Sequence, residues 1–503
     1  MVRDTGIQIE VAAAAAAGQT LVEGTLSPEN NAPDIVQVLG VDANAAINSA
    51  EAQDNKADIE GVLAIRVLYL CREGMPHGFE ATSVFKHTLD MPGAKAGMRC
   101  QCFVALSRVD YSLTDARNVS VNAVLDVEGK TFENVDTNIA GDVEGVELLK
   151  KQVKTSKCIA KAGSGFMIRE DIRLDNVADP PAEILSSNAY ARVRQITADG
   201  ANAAVEGDIR LNTVYRDEND NVSQHTQSIP FGQIVPMGTL LENAELSAEA
   251  NVREAGVNIA GENILNAEFM MHVNVNANKE QSADIIEDAY STNQAVQPNI
   301  RKVNISGPTV SGTGKAPIRQ QTPIPSGMPI AEKVLCVLVN PVVMGKAAQD
   351  NKVNVEGVLQ TQVIYSAEEE GVKSFSADVP FKAAADINGI KENMKLDIDA
   401  KAEQAAASAN ADSIDLRVTL DIAASGSEKS NVNMVESISA LDQPLKQQSG
   451  IIIYFPGRGE TLWGIAKRFG TTVKSIEERN NIDNAQDIEG QKIILFCPPK
   501  TAQ

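Results

Sequence analysis

The chain of 503 residues carries one sequence pattern three times. In each copy, a Glu-Gly pair is followed by a tyrosine nine residues after the glutamate and by a phenylalanine sixteen residues after that tyrosine. The three glutamates are Glu60, Glu206 and Glu356, spaced 146 and 150 residues apart. The pentapeptide Ala-Gln-Asp-Asn-Lys also stands at both 52–56 and 348–352. Recurrence at this spacing indicates that one domain is used three times.

Alternating apolar and polar residues after each Glu-Gly pair predict a β-strand. Between Leu63 and Tyr69 every second side chain is apolar and lies on one face, whereas Arg66 lies on the other. Closing strands are predicted at 119–127, 264–275 and 414–422. We expect one face of each central strand to pack and the other to meet solvent. The sequence therefore predicts a mainly β fold with three repeated antiparallel β-sandwich or barrel-like domains.

The repeat spacing also predicts where the domains divide. Three β domains are expected at 1–130, 131–280 and 281–425, the second and third each with a leader segment. Residues 307–329 are rich in Pro, Gly, Ser and Thr, which predicts a flexible segment. Residues 426–450 are polar and are expected to form a linker to a last domain at 451–498.

The C-terminal segment has a different pattern, which begins with an apolar stretch ending at Tyr454. Thr461 is placed to cap a helix whose buried face has the spacing i, i+3, i+4 and i+7. A second helix is predicted at 473–478, and strands at 451–455 and 491–496 are expected to pair antiparallel. The motifs Gly-Glu-Thr-Leu at 459–462, Asn-Asn-Ile at 480–482 and Ile-Glu-Gly-Gln at 488–491 complete the order. This small βααβ unit resembles a LysM domain.

The LysM resemblance implies a module that binds rather than catalyses. In that family, N-acetylglucosamine chains lie in a groove between the loop before the first helix and the loop before the last strand. The expected glycan- or partner-binding residues are Gly459, Glu460, Thr461, Leu462, Trp463, Asn480, Asn481, Ile482, Asp483 and Asn484. Trp463 is the only tryptophan of the chain and points away from the buried helix face. It is either a partly covered surface aromatic or an anchor for a ligand or partner.

Charge restricts the class of partner. The formal net charge is −22, and the segment 450–503 contributes about +1 of it, so the remainder is strongly acidic. An acidic body without a basic stripe argues against binding nucleic acid or anionic membrane surfaces. The sequence has no run apolar enough for membrane insertion, and the alanines at 12–17 lack a preceding basic region. We therefore expect no signal peptide.

Candidate catalytic and metal-binding residues form no recognisable set. The six cysteines include no C-x-x-C pair and favour free thiols, and Cys100 and Cys102 are expected to be small core residues on one strand face. The four histidines have no ligand spacing. Each repeated Glu-Gly pair is explained by a turn, and the chain lacks a phosphate-binding loop. We expect no catalytic residues, no metal, no cofactor and no enzymatic activity.

Several segments of the β repeats resemble the clostridial SPOCS (spore coat structural) family. They are the lead-in at 33–39, the Glu-Gly strand with its tyrosine, the stretch 85–98 containing Met-Pro-Gly, and Asp-Ala-Tyr-Ser-Thr at 288–292. Gly389 is in register with Gly93, whereas the second copy has Thr239 there and departs most from the pattern.

The SPOCS resemblance implies a structural role in the endospore coat. It places the protein in the mother-cell cytoplasm at the forespore surface and later in the spore coat. It also implies that the LysM domain docks a SpoIVA-like coat morphogenetic ATPase. A peptidoglycan- or cortex-glycan-binding protein, which grips N-acetylglucosamine through the LysM groove, is the alternative function. Self-assembly of the β domains is a third possibility.

Overall fold

The computed structural model describes residues 7–137, 145–175, 179–368, 370–410, 412–442, 450–482 and 488–497. Each β repeat in this part of the chain has six strands. Repeat one consists of β1 Gln8–Leu26, β2 Gln37–Gln53, β3 Lys56–Leu70, β4 Pro76–Asp90, β5 Arg99–Asp115 and β6 Asn118–Asp136. Repeat two consists of β7 Val146–Arg173, β8 Pro181–Asp199, β9 Asn202–Asp217, β10 Val222–Pro236, β11 Glu245–Gly261 and β12 Ile264–Ser291. Repeat three consists of β13 Val296–Pro323, β14 Lys333–Gln349, β15 Lys352–Ala367, β16 Gly371–Asp386, β17 Met394–Asn410 and β18 Ser413–Ala440.

The C-terminal unit has the predicted βααβ order. Its elements are β19 Gly450–Tyr454, α1 Leu462–Phe469, α2 Val473–Asn480 and β20 Ile493–Cys497. Strands β19 and β20 pair antiparallel, with Ile451 opposite Phe496. Within the described residues, neither helix has the length and apolar character that crossing a bilayer requires.

Each β repeat is a sandwich of two antiparallel sheets, which confirms the predicted fold class. The second, third and fourth strands form one sheet, as in β2-β3-β4. The first, sixth and fifth strands form the other, in the order β1-β6-β5. A short contact between β1 and β13, with Val11 opposite Ile305, joins the second sheets of repeats one and three into one six-stranded sheet. Alternating apolar residues of both sheets fill the space between them.

The repeated Glu-Gly pair lies inside a strand, so the predicted turn is wrong. In repeat one, Gly61 of β3 is opposite Phe85 of β4 and faces a bulge of β2 beside Ile47. A Cβ atom on Gly61 would lie less than 3.0 Å from the Phe85 ring and from the carbonyl oxygen of Ala46. Gly207 and Gly357 occupy the same position opposite Phe231 and Phe381. Glycine is needed because a bulged strand and an aromatic ring both press on its backbone.

The repeated pentapeptide forms the turn between the second and third strands. Asn55 and Asn351 adopt the left-handed conformation, with φ of 60° and 57°. The Asn55 side-chain oxygen accepts a hydrogen bond from Gly93 N at 3.0 Å, and Asn351 accepts one from Gly389 N at 2.8 Å. In repeat two the turn contains Gly200 instead, with φ of 60°. In repeats one and three the asparagine therefore joins this turn to the loop after the fourth strand, whereas repeat two has glycine in the turn.

We predict that Asn351→Ala destabilises repeat three by about 2 kcal/mol. Alanine loses about 1 kcal/mol through the left-handed backbone and about 1 kcal/mol through the missing hydrogen bond. Asn351→Gly is the matched control, because glycine keeps the left-handed backbone conformation and this variant loses only the hydrogen bond. Urea unfolding of both variants checks this, and equal stability of the two would contradict the assigned backbone role.

Only part of the polar face of each central strand meets solvent, which corrects the prediction for that face. Arg66 is 6% exposed and donates to Asp42 at 2.8 Å, and Asn188 of repeat two donates to the same carboxylate at 2.9 Å. Gln362 of repeat three accepts a hydrogen bond from Val41 N of repeat one at 2.8 Å. Asp42 therefore links Arg66 of its own repeat to Asn188 of repeat two, and Gln362 pairs directly across the contact between repeats one and three.

Shared apolar clusters bind the three repeats into one body. Leu68, Val214 and Ile364, each directly before the repeated tyrosine, meet in one cluster that all three repeats build. A second shared cluster combines Ile9 and Val11 of repeat one with residues of both other repeats. Since each tyrosine points into its own repeat, the preceding residue points outward and packs on the neighbouring repeats.

Several long strands run past the predicted domain divisions. The divisions at 130/131, 280/281 and 425/426 lie inside β6, β12 and β18. Residues up to Ala440 of the predicted linker pair with β13, and most of the predicted flexible segment 307–329 belongs to β13 itself. The ends of these strands lie outside the sandwich cores and consist largely of small and polar residues. The sequence pattern therefore does not reveal them as strands. We propose divisions between Asp136 and Val146, Ser291 and Val296, and Ala440 and Gly450.

Candidate functional site

Local capping builds the two helices of the C-terminal unit. The Thr461 side chain accepts a hydrogen bond from Gly464 N, and the chain leaves α1 at Gly470 in the left-handed conformation. The Thr472 side chain caps α2 by accepting from Ser475 N. Leu462 is 2% exposed and lies in the core of the unit. Two of the predicted site residues, Thr461 and Leu462, therefore have structural roles for their side chains.

The loop before α1 is held by Glu460. Its carboxylate accepts hydrogen bonds from Gly457 N and from the Tyr454 hydroxyl, both at 2.8 Å. These bonds, the backbone one first, lower the pKa of Glu460 below its ordinary value. Gly459 has a φ of +80° and open space around its missing side chain. Backbone groups of this loop are thus accessible in a fixed arrangement.

The second loop of the predicted groove is held by Asn480. Its side-chain nitrogen donates to the carbonyl oxygens of Ile476 and Ile494, and its oxygen accepts from Ile494 N at 2.7 Å. Asn481 ends α2 with a φ of 52°, and the Ile482 N–H donates to Glu477 O. Asp483 and Asn484 lie outside the described residues. The two loops are joined where Gly490 N donates to Pro456 O at 2.9 Å.

We predict that Asn480→Ala loosens the C-terminal unit by about 2 kcal/mol, because it removes three hydrogen bonds, two of which join α2 to the Ile494 backbone of β20. Asn481→Gly is the comparison, since glycine adopts the left-handed conformation freely and the cap is kept. Hydrogen exchange of the α2 amides in the full chain measures the difference. Equal protection in the two variants would show that Asn480 does not fasten α2 to β20.

Trp463 is half-buried against the β body. Its ring nitrogen donates to Asp288 Oδ2 at 2.9 Å, and its ring packs edge-on against Tyr290 with the centroids 4.8 Å apart. Lys467, one turn further along α1, donates to both carboxylate oxygens of Asp288 at 2.7 and 2.6 Å. The Tyr290 hydroxyl donates to Thr471 O at 2.8 Å. The end of β12 is therefore a docking surface for α1.

The docking surface combines the charge of Asp288 with the aromatic ring of Tyr290. Partial burial alone would raise the pKa of Asp288, but the hydrogen bonds from Lys467 and Trp463 hold the pKa below its ordinary value. Tyr290 is 5% exposed and belongs to the apolar core of the C-terminal unit. Burial raises the pKa of its hydroxyl, which keeps it a hydrogen-bond donor.

Sequence reasoning missed Asp288 and Tyr290 as partners of Trp463. The segment 288–292 was noticed only as part of the SPOCS resemblance, because nothing in the sequence links it to a residue 175 positions away. The i, i+4 spacing of Trp463 and Lys467 does place them on one helix face. The two residues on that face, rather than the tryptophan alone, are what in the sequence could indicate a contact surface.

The structure does not bring the histidine, cysteine and acidic side chains of the described ranges together as a set of metal ligands. No group of three or more His, Cys, Asp or Glu side chains within them could hold a metal ion. Cys100 and Cys102 share one strand face, as expected, with their sulfur atoms 3.5 Å apart. Glu356 forms an ion pair with Lys382 at 3.2 Å, and both side chains are exposed.

Comparison with protein families identifies both parts of the chain. The family model described as SipL, SPOCS domain matches residues 34–114 and 331–410, which lie in repeats one and three. The LysM domain family matches residues 457–496. The searches of curated proteins and of solved structures gave no match. Both families are non-catalytic, and together they indicate a sporulation-related protein with a domain of the peptidoglycan-binding type. The chain therefore contains two segments of the SipL SPOCS domain family, in repeats one and three, and a C-terminal LysM domain.

Proposed function

We propose that this protein is a non-enzymatic structural adaptor of the endospore coat or envelope. In this proposal the LysM domain docks a SpoIVA-like coat morphogenetic ATPase, and the three β repeats form the scaffold. It acts in the mother-cell cytoplasm at the forespore surface and later in the coat. The observation that carries the proposal is that SPOCS repeats and a single LysM domain are packed against each other through Trp463, Asp288 and Tyr290.

An exposed apolar face of the LysM domain supports a protein partner. Ile451 is paired with Phe496, and Ile453 with Ile494, so their side chains share the outer face of the β19–β20 sheet. Ile451 is 71% exposed and Ile453 is 55% exposed. Phe455, at the end of β19, is exposed as well. Contiguous apolar surface of this kind is typical of protein–protein contacts.

Capture by the full chain tests the adaptor function. The bait is the tagged full chain, either wild type or Ile453→Asp, and the prey is a lysate of sporulating cells that contains wall fragments. Ile234→Asp is the matched control, because Ile234 is 61% exposed but lies in repeat two. We expect wild type and control to retain the coat ATPase and Ile453→Asp to lose it. Equal retention by all three baits, or by none, would contradict the proposal.

Glycan binding through the LysM groove is the second candidate. The observation that favours it is the open loop pair: a Cβ atom on Gly459 or Gly490 would meet nothing within 4 Å. Calorimetric titration of the full chain with a hexamer of N-acetylglucosamine tests this function. Saturable heat that Ile453→Asp leaves unchanged would support glycan binding, and absence of heat at millimolar sugar would exclude it.

Self-assembly of the body is a further proposal. Strands β5 and β17 are the two ends of the six-stranded sheet, and such edge strands are sites where another strand is able to pair. Side chains of other repeats already bind the carbonyl oxygens of Leu106, Ser107 and Asp399 on these edges. The acidic charge of the body opposes close approach of two copies. Light scattering of the full chain at low and high salt tests it, and a constant monomer mass in both would exclude it.

A further inference from the structure

The end of β12 covers one particular face of the LysM domain. This face consists of Trp463 and Lys467 on α1 and the carbonyl group of Thr471. The loops of the predicted glycan groove lie elsewhere, since Gly459 and Gly490 have open space around them. The docked arrangement therefore occupies the tryptophan face and leaves Gly459 and Gly490 of the two loops uncovered.

The docking surface is specific to repeat two among the described strands. The same strand position in repeat three is the end of β18, where the bulge between Val435 and Ser437 corresponds to that between Ile286 and Asp288. In this register Ser437 stands for Asp288 and Ser439 stands for Tyr290. Serine offers neither the charge that pairs with Lys467 nor a ring that packs on Trp463. The docking surface is thus a feature of one strand end and is not a general property of the repeat.

The contact is built for reversible binding. Asp288 and Tyr290 make all the hydrogen bonds described above, and the side chains of Lys467 and Asp288 are 41% and 20% exposed. Half-exposed ion pairs contribute modestly to stability, so the docked form depends on a few directed contacts. A ligand that binds only the released form of this contact shifts the equilibrium toward that form.

We propose that Asp288 and Tyr290 act as a built-in competitor for the Trp463 face of the LysM domain. A protein partner that grips Trp463 binds the released form and displaces β12, whereas a glycan in the loop groove binds both forms. This inference rests on the proposed adaptor function for the identity of the partner. Contact with the exposed β19–β20 face requires no release and offers the partner a first attachment.

Fluorescence of the single tryptophan tests the competitor in the full chain. Acrylamide quenching and the emission maximum of Trp463 are measured for wild type, Asp288→Ala, Asp288→Asn and Asp284→Ala. Asp284→Ala is the matched control, because Asp284 is exposed on the same strand and the change in charge is equal. We expect Asp288→Ala to raise the quenching constant and shift the emission to longer wavelength, Asp288→Asn to do so less, and the control to match wild type. Unchanged quenching in a folded Asp288→Ala chain overturns the proposal.

Binding measurements separate this proposal from the adaptor function itself. Asp288→Ala is expected to bind the coat ATPase up to about tenfold more tightly, which corresponds to the loss of one charge-assisted hydrogen bond in the docked form. Its affinity for the N-acetylglucosamine hexamer is expected to equal that of wild type, and a matching gain for the hexamer would overturn the separation of the two faces. Changed quenching without any ATPase binding refutes the adaptor function alone. Trp463-dependent ATPase binding with unchanged quenching refutes the competitor alone.

Discussion

Replacing Gly357 with alanine is expected to destabilise repeat three by about 3 kcal/mol or more, because a new atom is forced into an already packed backbone contact. The Cβ atom would lie less than 3.0 Å from the carbonyl oxygen of Val342, and the Phe381 ring closes the other side. Neither neighbour is the free end of a flexible side chain. Relief requires the bulge of β14 to move away from β15, which separates the strands that hold the core of the repeat.

Gly232→Ala is the matched control for this substitution. Gly232 also lies in a strand, directly after Phe231, but its Cβ position meets nothing within 4 Å. Repeats one and three have lysine at the same point, so a side chain is accepted there. Thermal and urea unfolding followed by circular dichroism should show an early transition for Gly357→Ala and wild-type stability for Gly232→Ala. Unfolding of Gly357→Ala at the wild-type midpoint would disprove the close backbone approach.

The second large effect is expected at the contact between repeats one and two. A Cβ atom on Gly78 would lie less than 3.0 Å from the carbonyl oxygen, carbonyl carbon and Cα of Leu185. Since Leu185 belongs to the cluster that all three repeats build, Gly78→Ala should open the body where the repeats meet. We expect a loss of about 3 kcal/mol or more in the free energy of unfolding, together with a larger radius of gyration.

Small-angle scattering and urea unfolding measure these two consequences. Gly24→Ala is the matched control, because Gly24 lies in β1 with nothing within 4 Å of the added atom. The control should keep the compact scattering profile and the single cooperative transition. A compact Gly78→Ala chain with wild-type stability would mean that the repeats do not depend on this contact.

The repeated motif predicted the sandwich strands well, because their periodicity reflects the core of each repeat alone. It could not predict the contacts between repeats, where Gln362 looks like a solvent-facing residue but accepts a hydrogen bond from repeat one, and where Asp42 binds both Arg66 of its own repeat and Asn188 of repeat two. The same limit explains why strands run past the predicted divisions, since the ends of β12 and β18 pack outside any single sandwich.

The LysM unit shows a similar division between what is local and what is distant. Thr461 and Thr472 are local capping signals, so the sequence placed both helix starts correctly. The contact of Trp463 with Asp288 joins positions far apart in the chain and could not be read from spacing. Assigning Asn480 as a binding residue overlooked its use as a clamp between α2 and β20, which only the fold brings together.

Titration of the purified SpoIVA-like ATPase with the full chain tests the adaptor function most directly. Wild type, Asp288→Ala, Trp463→Ala and Ile453→Asp are compared by calorimetry, each after circular dichroism has shown the folded chain. We predict saturable binding that is tighter for Asp288→Ala than for wild type and is lost in Trp463→Ala and Ile453→Asp. Absence of binding by the wild type, together with saturable binding of the N-acetylglucosamine hexamer, would contradict the adaptor function and leave a glycan-binding envelope protein.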